Sequence, residues 1–541
     1  MCTSKTRTNT ENNNKATKIF CGMAANILKH AFLLFRTYLD LLIDLVFGFY
    51  FEGKRQAIPD LNKNHSILTE SAVSLAAKIR KQEITSEQLV TACIQRIKLV
   101  NPALNAVVDE RYEEALKDAK EVDRLIAEGL PNQYFEEKPF LGVPFTAKES
   151  HAVSGMLHPL GLRARALVRA DADAECVRRL RAAGALPLAV TNVPELNKWQ
   201  ETRNMLVGQT NNPYHTGRTT GGSSGGEAAL AAALASPIAL CSDIGGSTRM
   251  PAFYCGLYAL NPTAGHSSMK GSALRSGEHP TIASIGFISK HIEDLAPLSA
   301  IVCTDLSFTT TIDIKSVRIF YTETAKDLRV SPISTELRQL MNRVISKLSA
   351  SSESTAAAPR PYYHRGFSHM SSLWRHAMSK EADCFPALLA NNQGHANGVL
   401  ELAKKVCGVS QFTLAAIMKL LDEQVLPAVD VAWAEKLTQE LHDDLKSTLG
   451  SDGVLIFPSA PAAAPHHYSL LLRPYNFAYW AIFNAIKFPA AQVPLGLNSD
   501  GLPLGVQVVA APGNDGLCLR VAERLVELLG GGYVPPCRIG S

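Results

Sequence analysis

The sequence predicts an α/β protein with one large sheet sandwiched between helices. From residue 141 onward, short apolar runs typical of buried strands alternate with stretches whose apolar residues recur every three or four positions, as in amphipathic helices. Strand-like runs return after a low-complexity segment, and 46% of the residues are apolar, which is enough for a sizeable core. Strands that alternate with helices in this way favour a three-layer arrangement around a single sheet.

The N-terminus divides into a polar tail and an apolar segment. Residues 1–18 are rich in Asn, Thr and Lys, a composition that predicts a disordered tail. Residues 19–51 are apolar, and their later part carries four charges that fall on one side of a helix. These four residues are Lys29, Arg36, Asp40 and Asp44. Three interpretations are open: a transmembrane anchor, a helix in the membrane interface, and a helix packed on the protein or on a second copy of the chain in a homodimer. We expect association with a membrane.

Three helices are predicted before the first strand of the sheet. Apolar residues at helical spacing predict them over residues 71–81, 85–100 and 112–128, and Thr85 is placed to begin a capping box. We interpret these helices as scaffold of a catalytic domain that extends over residues 66–541.

The first half of the sheet is predicted from three apolar runs. They are GVPFTA at 142–147, ALPLAVTN at 185–192 and PIALCSD at 237–243, with an alanine-rich helix at 226–235 before the third. Alternation of this kind is typical of strands covered by helices.

The second half begins after a segment at 345–363 whose low complexity predicts a surface loop. The apolar run 406–421 then predicts either a core helix or a helix at a membrane-facing substrate mouth. Strand-like runs follow from residue 454, and a last helix is expected over 515–529, with Asp515 as its N-cap and a glycine at its end.

Composition excludes several classes of function. The net charge of +4 over 541 residues is too small to attract nucleic acid. The 11 cysteines are scattered without a CxxC pair, which argues against a disulfide framework and against a zinc site. We therefore expect no nucleic-acid partner, and a catalytic domain that faces a reducing compartment.

Two glycine-rich turns carry the candidate chemistry. After the predicted strand at 237–243, two glycines permit a tight turn that presents Ser247 where a helix can begin. Consecutive main-chain N–H groups at such a turn can stabilise the oxyanion of acyl transfer, and the candidates are those of Ile244, Gly245, Gly246 and Ser247. A phosphate site is the weaker alternative, because neither turn carries the GK[ST] sequence of a phosphate-binding loop.

The other turn, GGSSGG at 221–226, contains Ser223 and matches the GxSxG pattern of a nucleophile elbow. An elbow follows an apolar strand, whereas the preceding NNPYHTGRTT is polar, and none of the 15 histidines stands out as a downstream base. We therefore interpret Ser223 as a residue that relays protons to and from Ser247.

Lys148 directly follows the apolar run GVPFTA. Burial disfavours a charged ammonium, so a lysine at the end of a buried strand can act as a neutral base near pH 7. The alternative, a lysine paired with Glu149 or exposed to solvent, is the commoner outcome for a single lysine. The combination of Lys148 with the two serines favours the base.

Taken together, these segments resemble the amidase signature family. The resemblance covers roughly residues 68–533 and rests on GVPFTAKE, NNPYHTGRTTGGSSGGEAALAA, SDIGGSTRMPAF, FPSAP and GLPLGVQVVAAP. It implies a mixed, twisted sheet between helices, and a catalytic triad without metal or cofactor. In that triad Lys148 is the general base, Ser223 is a bridging serine that follows a cis peptide bond, and Ser247 is the acylated nucleophile.

Within this family the chain is similar to the fatty-acid amide hydrolases, in its apolar N-terminus and in RPYNFAYWAIFNAIKFPAAQVPLGL. The similarity implies a lipid amide substrate, an N-acylethanolamine or a primary fatty amide, cleaved at a membrane surface. Asp243 and Arg249 are expected to support the active-site loop. The segment 261–292 departs from the family pattern, which we expect to alter the pocket wall at Asn261 and Phe287–Lys290. Two alternatives remain open: a general or glutamine amidase of the same family, and a non-catalytic lipid-binding relative.

Overall fold

The computed structural model describes Leu28 and residues 31–309, 311–350 and 357–540. Within these ranges, 11 strands form one mixed sheet that is flanked by helices, so the predicted fold class is confirmed. The predicted polar tail at 1–18 lies outside the described residues, as does most of the stretch at 19–30.

Six of the strands lie where the sequence predicts apolar runs, at 142–147, 185–192, 237–243 and from residue 454 onward, and the other strands of the described residues were not predicted. They are β1 Val107–Glu110, β2 Pro144–Lys148, β3 Leu186–Thr191, β4 Arg203–Asn204, β5 Gly208–Gln209, β6 Asn211–Asn212, β7 His215–Thr219, β8 Ile238–Asp243, β9 Tyr258–Asn261, β10 Ser284–Ser289, β11 Arg318–Tyr321, β12 Arg360–Pro361, β13 Gly453–Pro458, β14 Ala490–Leu497 and β15 Pro503–Ala510. The order in the large sheet is β1-β3-β2-β8-β10-β9-β14-β15-β13-β11-β12.

Helices connect and cover these strands. They are α1 over 31–51, α2 Ala72–Arg80, α3 Ser86–Leu104, α4 Tyr112–Ala127, α5 Asn132–Glu137, α6 Glu175–Ala182, α7 Gly225–Ala232, α8 Arg249–Tyr254, α9 Leu295–Val302, α10 Thr335–Ala350, α11 Met370–Met378, α12 Phe385–Leu389, α13 Gly398–Val406, α14 Leu414–Gln424, α15 Val431–Leu449, α16 Ala478–Ala485 and α17 Asp515–Leu529. The predicted capping box of α3 is present, with Thr85 accepting from the N–H of Gln88 at 3.0 Å.

Two parallel strands carry the predicted catalytic segments to the same edge of the sheet. β2 pairs in parallel with β3 on one side and with β8 on the other. Lys148 is the last residue of β2 and Asp243 is the last residue of β8. Because neighbouring parallel strands end at the same edge, the lysine and the turn that contains Ser247 lie side by side.

Three predictions about the second half of the chain are wrong in detail. The loop expected from 345 begins later, because α10 continues to residue 350. The apolar run 406–421 is not one helix, since α13 ends at Val406 and α14 begins at Leu414. Asp515 does not cap α17: its carboxylate is buried and accepts from the N–H and hydroxyl of Thr263 at 2.8 and 2.6 Å.

The charged side of α1 faces the protein and its apolar side faces outward. Asp40 and Asp44 accept hydrogen bonds from Arg473 at 2.9 and 2.7 Å, and the guanidinium of Arg473 is buried. On the opposite side, large apolar residues are exposed, among them Phe35 and Phe49, the latter to 94%. Among the described helices, none combines the length and apolar character needed to cross a membrane.

Candidate active site

Lys148 and Ser223 are in direct contact. The Nζ atom of Lys148 donates to the Oγ atom of Ser223 at 2.7 Å and to the Oγ atom of Ser242 at 3.5 Å. Both contact partners are buried, and Lys148 itself is only 1% exposed. The peptide bond between Gly222 and Ser223 is cis. The lysine therefore shares its buried environment with hydroxyl groups and not with a paired carboxylate.

Burial lowers the pKa of Lys148 to about 8, against the attraction of Asp243 and Glu227. Glu227 is itself buried, and desolvation raises its pKa to about 8 although its oxygens accept from the hydroxyls of Thr191 and Thr146 at 2.7 and 2.8 Å. Near neutral pH this acid is largely protonated and stabilises the ammonium little. At pH 7 a minor fraction of Lys148 is then a neutral amine, and this fraction grows as the pH rises toward 8, which allows the lysine to act as a general base.

The turn that presents Ser247 is built around the carboxylate of Asp243. One oxygen of Asp243 accepts from the N–H of Gly246 at 2.6 Å, and the other accepts from the N–H of Thr248 at 3.2 Å. Gly246 has a φ of +106°, and a Cβ there would lie 2.6 Å from the Cβ of Trp480, so only glycine fits. Ser247 is thus fixed at the end of β8, just before α8.

Arg249 completes this turn. Its guanidinium pairs with Asp243 at 3.0 Å and donates to the side chains of Asn484 at 2.6 Å and Gln507 at 2.9 Å. Both charges are fully buried. Burial alone would raise the pKa of Asp243, but the Arg249 charge and the main-chain N–H donors hold that pKa below its ordinary value.

The main-chain donors of the turn differ in their partners. The N–H of Gly246 is already used by Asp243. In the described part of the chain, no acceptor is recorded for the N–H groups of Ile244, Gly245 and Ser247. The four-donor oxyanion hole stays a prediction, and these three donors are the ones free to serve a substrate in this conformation.

A large apolar cavity opens beside Ser247. Its volume is about 350 Å³, and Ser247, Gly245, Trp374, Met418, Leu421 and Phe477 are among the residues that line it. The indole N–H of Trp374 donates to the carbonyl of Ile244 at 2.8 Å. Met418 and Leu421 belong to α14, so this helix forms part of the cavity wall. This position fits the predicted substrate-mouth helix better than the predicted core helix.

A smaller chamber of about 40 Å³ also adjoins Ser247. Its walls include Lys148, Ser223, Ser247, Lys198, Arg275 and Asp383. Ser223 and Ser247 both face this chamber, and the N–H of Ser224 donates to the carbonyl of Ser247 at 3.2 Å. Within the described residues, no hydrogen bond joins the hydroxyls of Ser223 and Ser247 directly. The structure thus brings all three predicted triad residues to one chamber.

The prediction that Asn261 and Phe287–Lys290 alter the pocket wall is wrong for these two cavities. Asn261 ends β9, and residues 287–289 belong to β10, both central strands of the sheet. Neither cavity is lined by them. The departing segment reaches the chamber instead through Met269 and Arg275.

A family model described as Amidase matches residues 88–519. The chain belongs to the amidase family. It is a hydrolase that acts on amide bonds, and a Ser-Ser-Lys triad is characteristic of this family.

Two curated relatives of this amidase are fatty-acid amide hydrolases. The chain is 37% identical to fatty-acid amide hydrolase 2 of Homo sapiens over 485 residues, which is 87% of this chain and 91% of that protein. It is 38% identical to fatty-acid amide hydrolase 2-B of Danio rerio over 488 residues, with the same coverage of 87% and 91%.

Solved structures show the fold of the amidase. A structure of 6-aminohexanoate cyclic dimer hydrolase complexed with substrate matches with a TM-score of 0.69 at 24% identity, over 87% of this chain and 99% of that one. A structure of fatty acid amide hydrolase matches with the same TM-score of 0.69 at 21% identity, over 87% of both chains.

Sequence reasoning gave no role to Trp374 or Lys198 in the amidase. Trp374 lies on α11, far along the chain, yet its ring would contact a Cβ at Gly245 at 3.0 Å. Lys198 lines both the large apolar cavity and the smaller chamber. No local pattern marks either residue, because each reaches the site only through the packing of distant segments.

We expect Arg249→Met to lower the free energy of unfolding of the amidase by about 3–5 kcal/mol, because it leaves the Asp243 carboxylate buried without its counter-charge. Urea denaturation measures this change. The control is Arg178→Met, which removes an arginine whose ion pair with Glu175 lies at the surface, and which should change the unfolding midpoint little. Equal small effects of both variants would contradict a supporting role for Arg249.

Proposed function

We propose that this amidase hydrolyses fatty-acid amides, N-acylethanolamines and primary fatty amides, through an acyl-enzyme on Ser247. The observation that carries the proposal is the buried contact between Lys148 and Ser223 in the chamber that Ser247 also lines, while Ser247 lines the large apolar cavity as well. The Ser247 hydroxyl thus adjoins both the proposed proton relay and the cavity proposed to bind the acyl chain.

In the proposed first step, protons move from Ser247 toward Lys148. The neutral amine takes the hydroxyl proton of Ser223 across the 2.7 Å contact, and Ser223 takes the proton of Ser247. The Ser247 oxygen forms a bond to the amide carbonyl carbon, and the carbonyl oxygen becomes an oxyanion that the free N–H groups of Ile244, Gly245 and Ser247 stabilise. The two hydroxyls come within hydrogen-bond distance when substrate binds, since catalytic contacts often tighten at that stage.

In the proposed second step the C–N bond breaks. Ser223 gives a proton to the departing amine and regains one from Lys148, which leaves an ester between the acyl group and Ser247. Water then attacks this ester, passes its proton through Ser223 to Lys148, and releases the fatty acid as Ser247 recovers its proton. Asp243 and Arg249 take no proton and hold the turn in place.

The shape and lining of the large cavity support a fatty acyl group as substrate. Its volume of about 350 Å³ suits a long chain, and Met418, Leu421 and Phe477 offer it apolar contacts. Val425 and Leu426, at the end of α14, line the same cavity and are themselves exposed at the surface. A substrate dissolved in a lipid layer could enter there without crossing water.

We propose that α1 and the α13–α14 pair rest on a membrane surface. The outward side of α1 exposes large apolar residues, and α13 exposes Val399 and Val406, the latter to 83%. Arg473, which holds α1 through its two aspartates, is followed directly by Pro474 and Tyr475 of the cavity wall. An apolar rim around the cavity mouth supports an interfacial helix, where the apolar side enters the boundary of the bilayer.

The test compares long-chain with short-chain amides. We expect kcat/KM to be at least 100-fold higher for oleoylethanolamide than for acetamide, because each buried methylene contributes about 0.8 kcal/mol until the cavity is filled. Release of ammonia from glutamine, with no hydrolysis of the oleoyl amide, would favour a glutamine amidase. Tight binding of oleoylethanolamide without turnover would favour a non-catalytic lipid-binding relative.

The proposed contact of α1 with a membrane is tested by sedimentation of the enzyme with phospholipid vesicles. Wild type should sediment with the vesicles, and a variant with Phe35→Ser, Leu42→Ser and Phe49→Ser should remain in the supernatant while it keeps its activity on a water-soluble amide. The matched control is Val73→Ser, which removes an exposed apolar residue from α2. Sedimentation of the triple variant at the wild-type level would contradict a membrane contact through α1.

A further inference from the structure

Lys198 is a lysine of the active site that the proposed mechanism leaves without a function. It follows a short 3₁₀ turn at Glu195–Asn197 and lines both cavities that adjoin Ser247. Burial lowers its pKa to about 8, so at neutral pH most of it remains an ammonium. The site therefore holds a positive charge next to the nucleophile.

The described residues give the ammonium of Lys198 neither a hydrogen bond nor an ion pair, although carboxylates lie in the same region. Asp383 is nearby, but it already accepts from the Nε atom of Arg275 at 3.0 Å. The carboxylate of Glu423 also attracts Lys198 at longer range, but it already pairs with Lys419 at 3.1 Å. A partly buried cation without a counter-charge is costly, which leaves it ready to pair with a ligand anion.

The geometry indicates where on the substrate such an anion would be. The large cavity is lined mainly by apolar side chains and suits the acyl chain, whereas the chamber of about 40 Å³ has room only for a small group and has charged side chains in its wall, among them Lys198 and Arg275. Lys198 and Ser247 face both spaces. When the acyl chain fills the large cavity, the amine part of the amide lies in the chamber within the field of Lys198.

We propose that Lys198 selects amides whose amine part carries a carboxylate, so that fatty acyl amino acids such as N-acylglycines are substrates of this site. This inference rests on the proposed function, because it names the amine part of the same lipid amides. The ammonium would donate charge-assisted hydrogen bonds to the carboxylate, which an ethanolamine hydroxyl or a primary amide accepts less strongly or not at all. Ser223 still protonates the departing nitrogen, which leaves as the free amino acid.

The experiment measures kcat/KM for N-oleoylglycine and for N-oleoylethanolamine with the full chain at pH 7. We expect Lys198→Met, which keeps the length of the side chain and removes its charge, to lower the ratio of the two values by about 10- to 100-fold, the scale of a hydrogen bond to a charged group. Lys198→Arg should retain most of the ratio. Because both substrates use the same base, any effect of Lys198 on the pKa of Lys148 cancels in the ratio.

The control is Lys315→Met, which removes an exposed lysine that lines neither cavity. That variant should leave the ratio unchanged. An unchanged ratio in Lys198→Met, with N-oleoylethanolamine still hydrolysed, would overturn this inference and leave the proposed function intact. If wild type labels with a fluorophosphonate but hydrolyses no oleoyl amide, both this inference and the proposed function would be overturned.

Discussion

Replacing Ser247 with alanine should abolish amide hydrolysis, with a loss in kcat of about 10⁶-fold, the scale seen when a serine hydrolase loses its nucleophile. No other hydroxyl takes its place, because Ser223 is held against Lys148 by the 2.7 Å contact. The same variant should no longer react with a fluorophosphonate probe, which forms a covalent bond with an activated serine. In-gel fluorescence of the labelled protein measures this directly.

Ser224→Ala is the matched control for the nucleophile. Ser224 belongs to the same glycine-rich turn as Ser223, but it lines neither of the two cavities beside Ser247. We expect this variant to label as wild type does. Labelling of Ser247→Ala at the wild-type level would show that another residue is the nucleophile, and the proposed relay would then be wrong.

Lys148→Ala should lower kcat by about 10²–10⁴-fold, the usual contribution of a general base. The pH dependence gives the sharper result. In wild type, burial lowers the pKa of Lys148 to about 8, so the neutral, active amine becomes more abundant as the pH rises toward 8 and the rate levels off above that value. Without the lysine this rise should disappear from the profile of kcat against pH.

Lys148→Arg separates the base from a merely structural cation. An arginine retains the positive charge and most of the length, but it cannot lose its proton near neutral pH. We expect it to be as inactive as the alanine variant and to show no alkaline rise. Activity close to wild type in Lys148→Arg, with the rise intact, would mean that the residue at this position positions Ser223 and does not accept its proton.

Patterns that depend on near neighbours in the chain allowed much of the fold to be predicted. Buried strands such as β8 and the helix cap at Thr85 are encoded by consecutive residue types, and both are confirmed. The family is confirmed as well, because the glycine-serine segments that carry the resemblance are continuous in sequence. The roles of Lys148, Ser223 and Ser247 stay predictions, although the structure brings the three residues to one chamber.

Predictions failed where a distant partner determined the outcome. Asp515 fits an N-cap by its place before an apolar helix, but Thr263, which is distant in sequence, takes its carboxylate. The apolar run at 406–421 has no local signal strong enough to show that it is split between two helices.

The sequence by itself determined the fold class and the family, because periodicity, glycine turns and short motifs are local properties of a chain. Only the tertiary structure decided which side of α1 faces outward, since Arg473 lies far from Asp40 and Asp44 in sequence. Only the tertiary structure, likewise, placed Lys198 beside Ser247, where none of the described residues pairs with its charge. Side chains that come into contact only through packing show no characteristic spacing in the sequence, because their contact depends on the whole path of the chain.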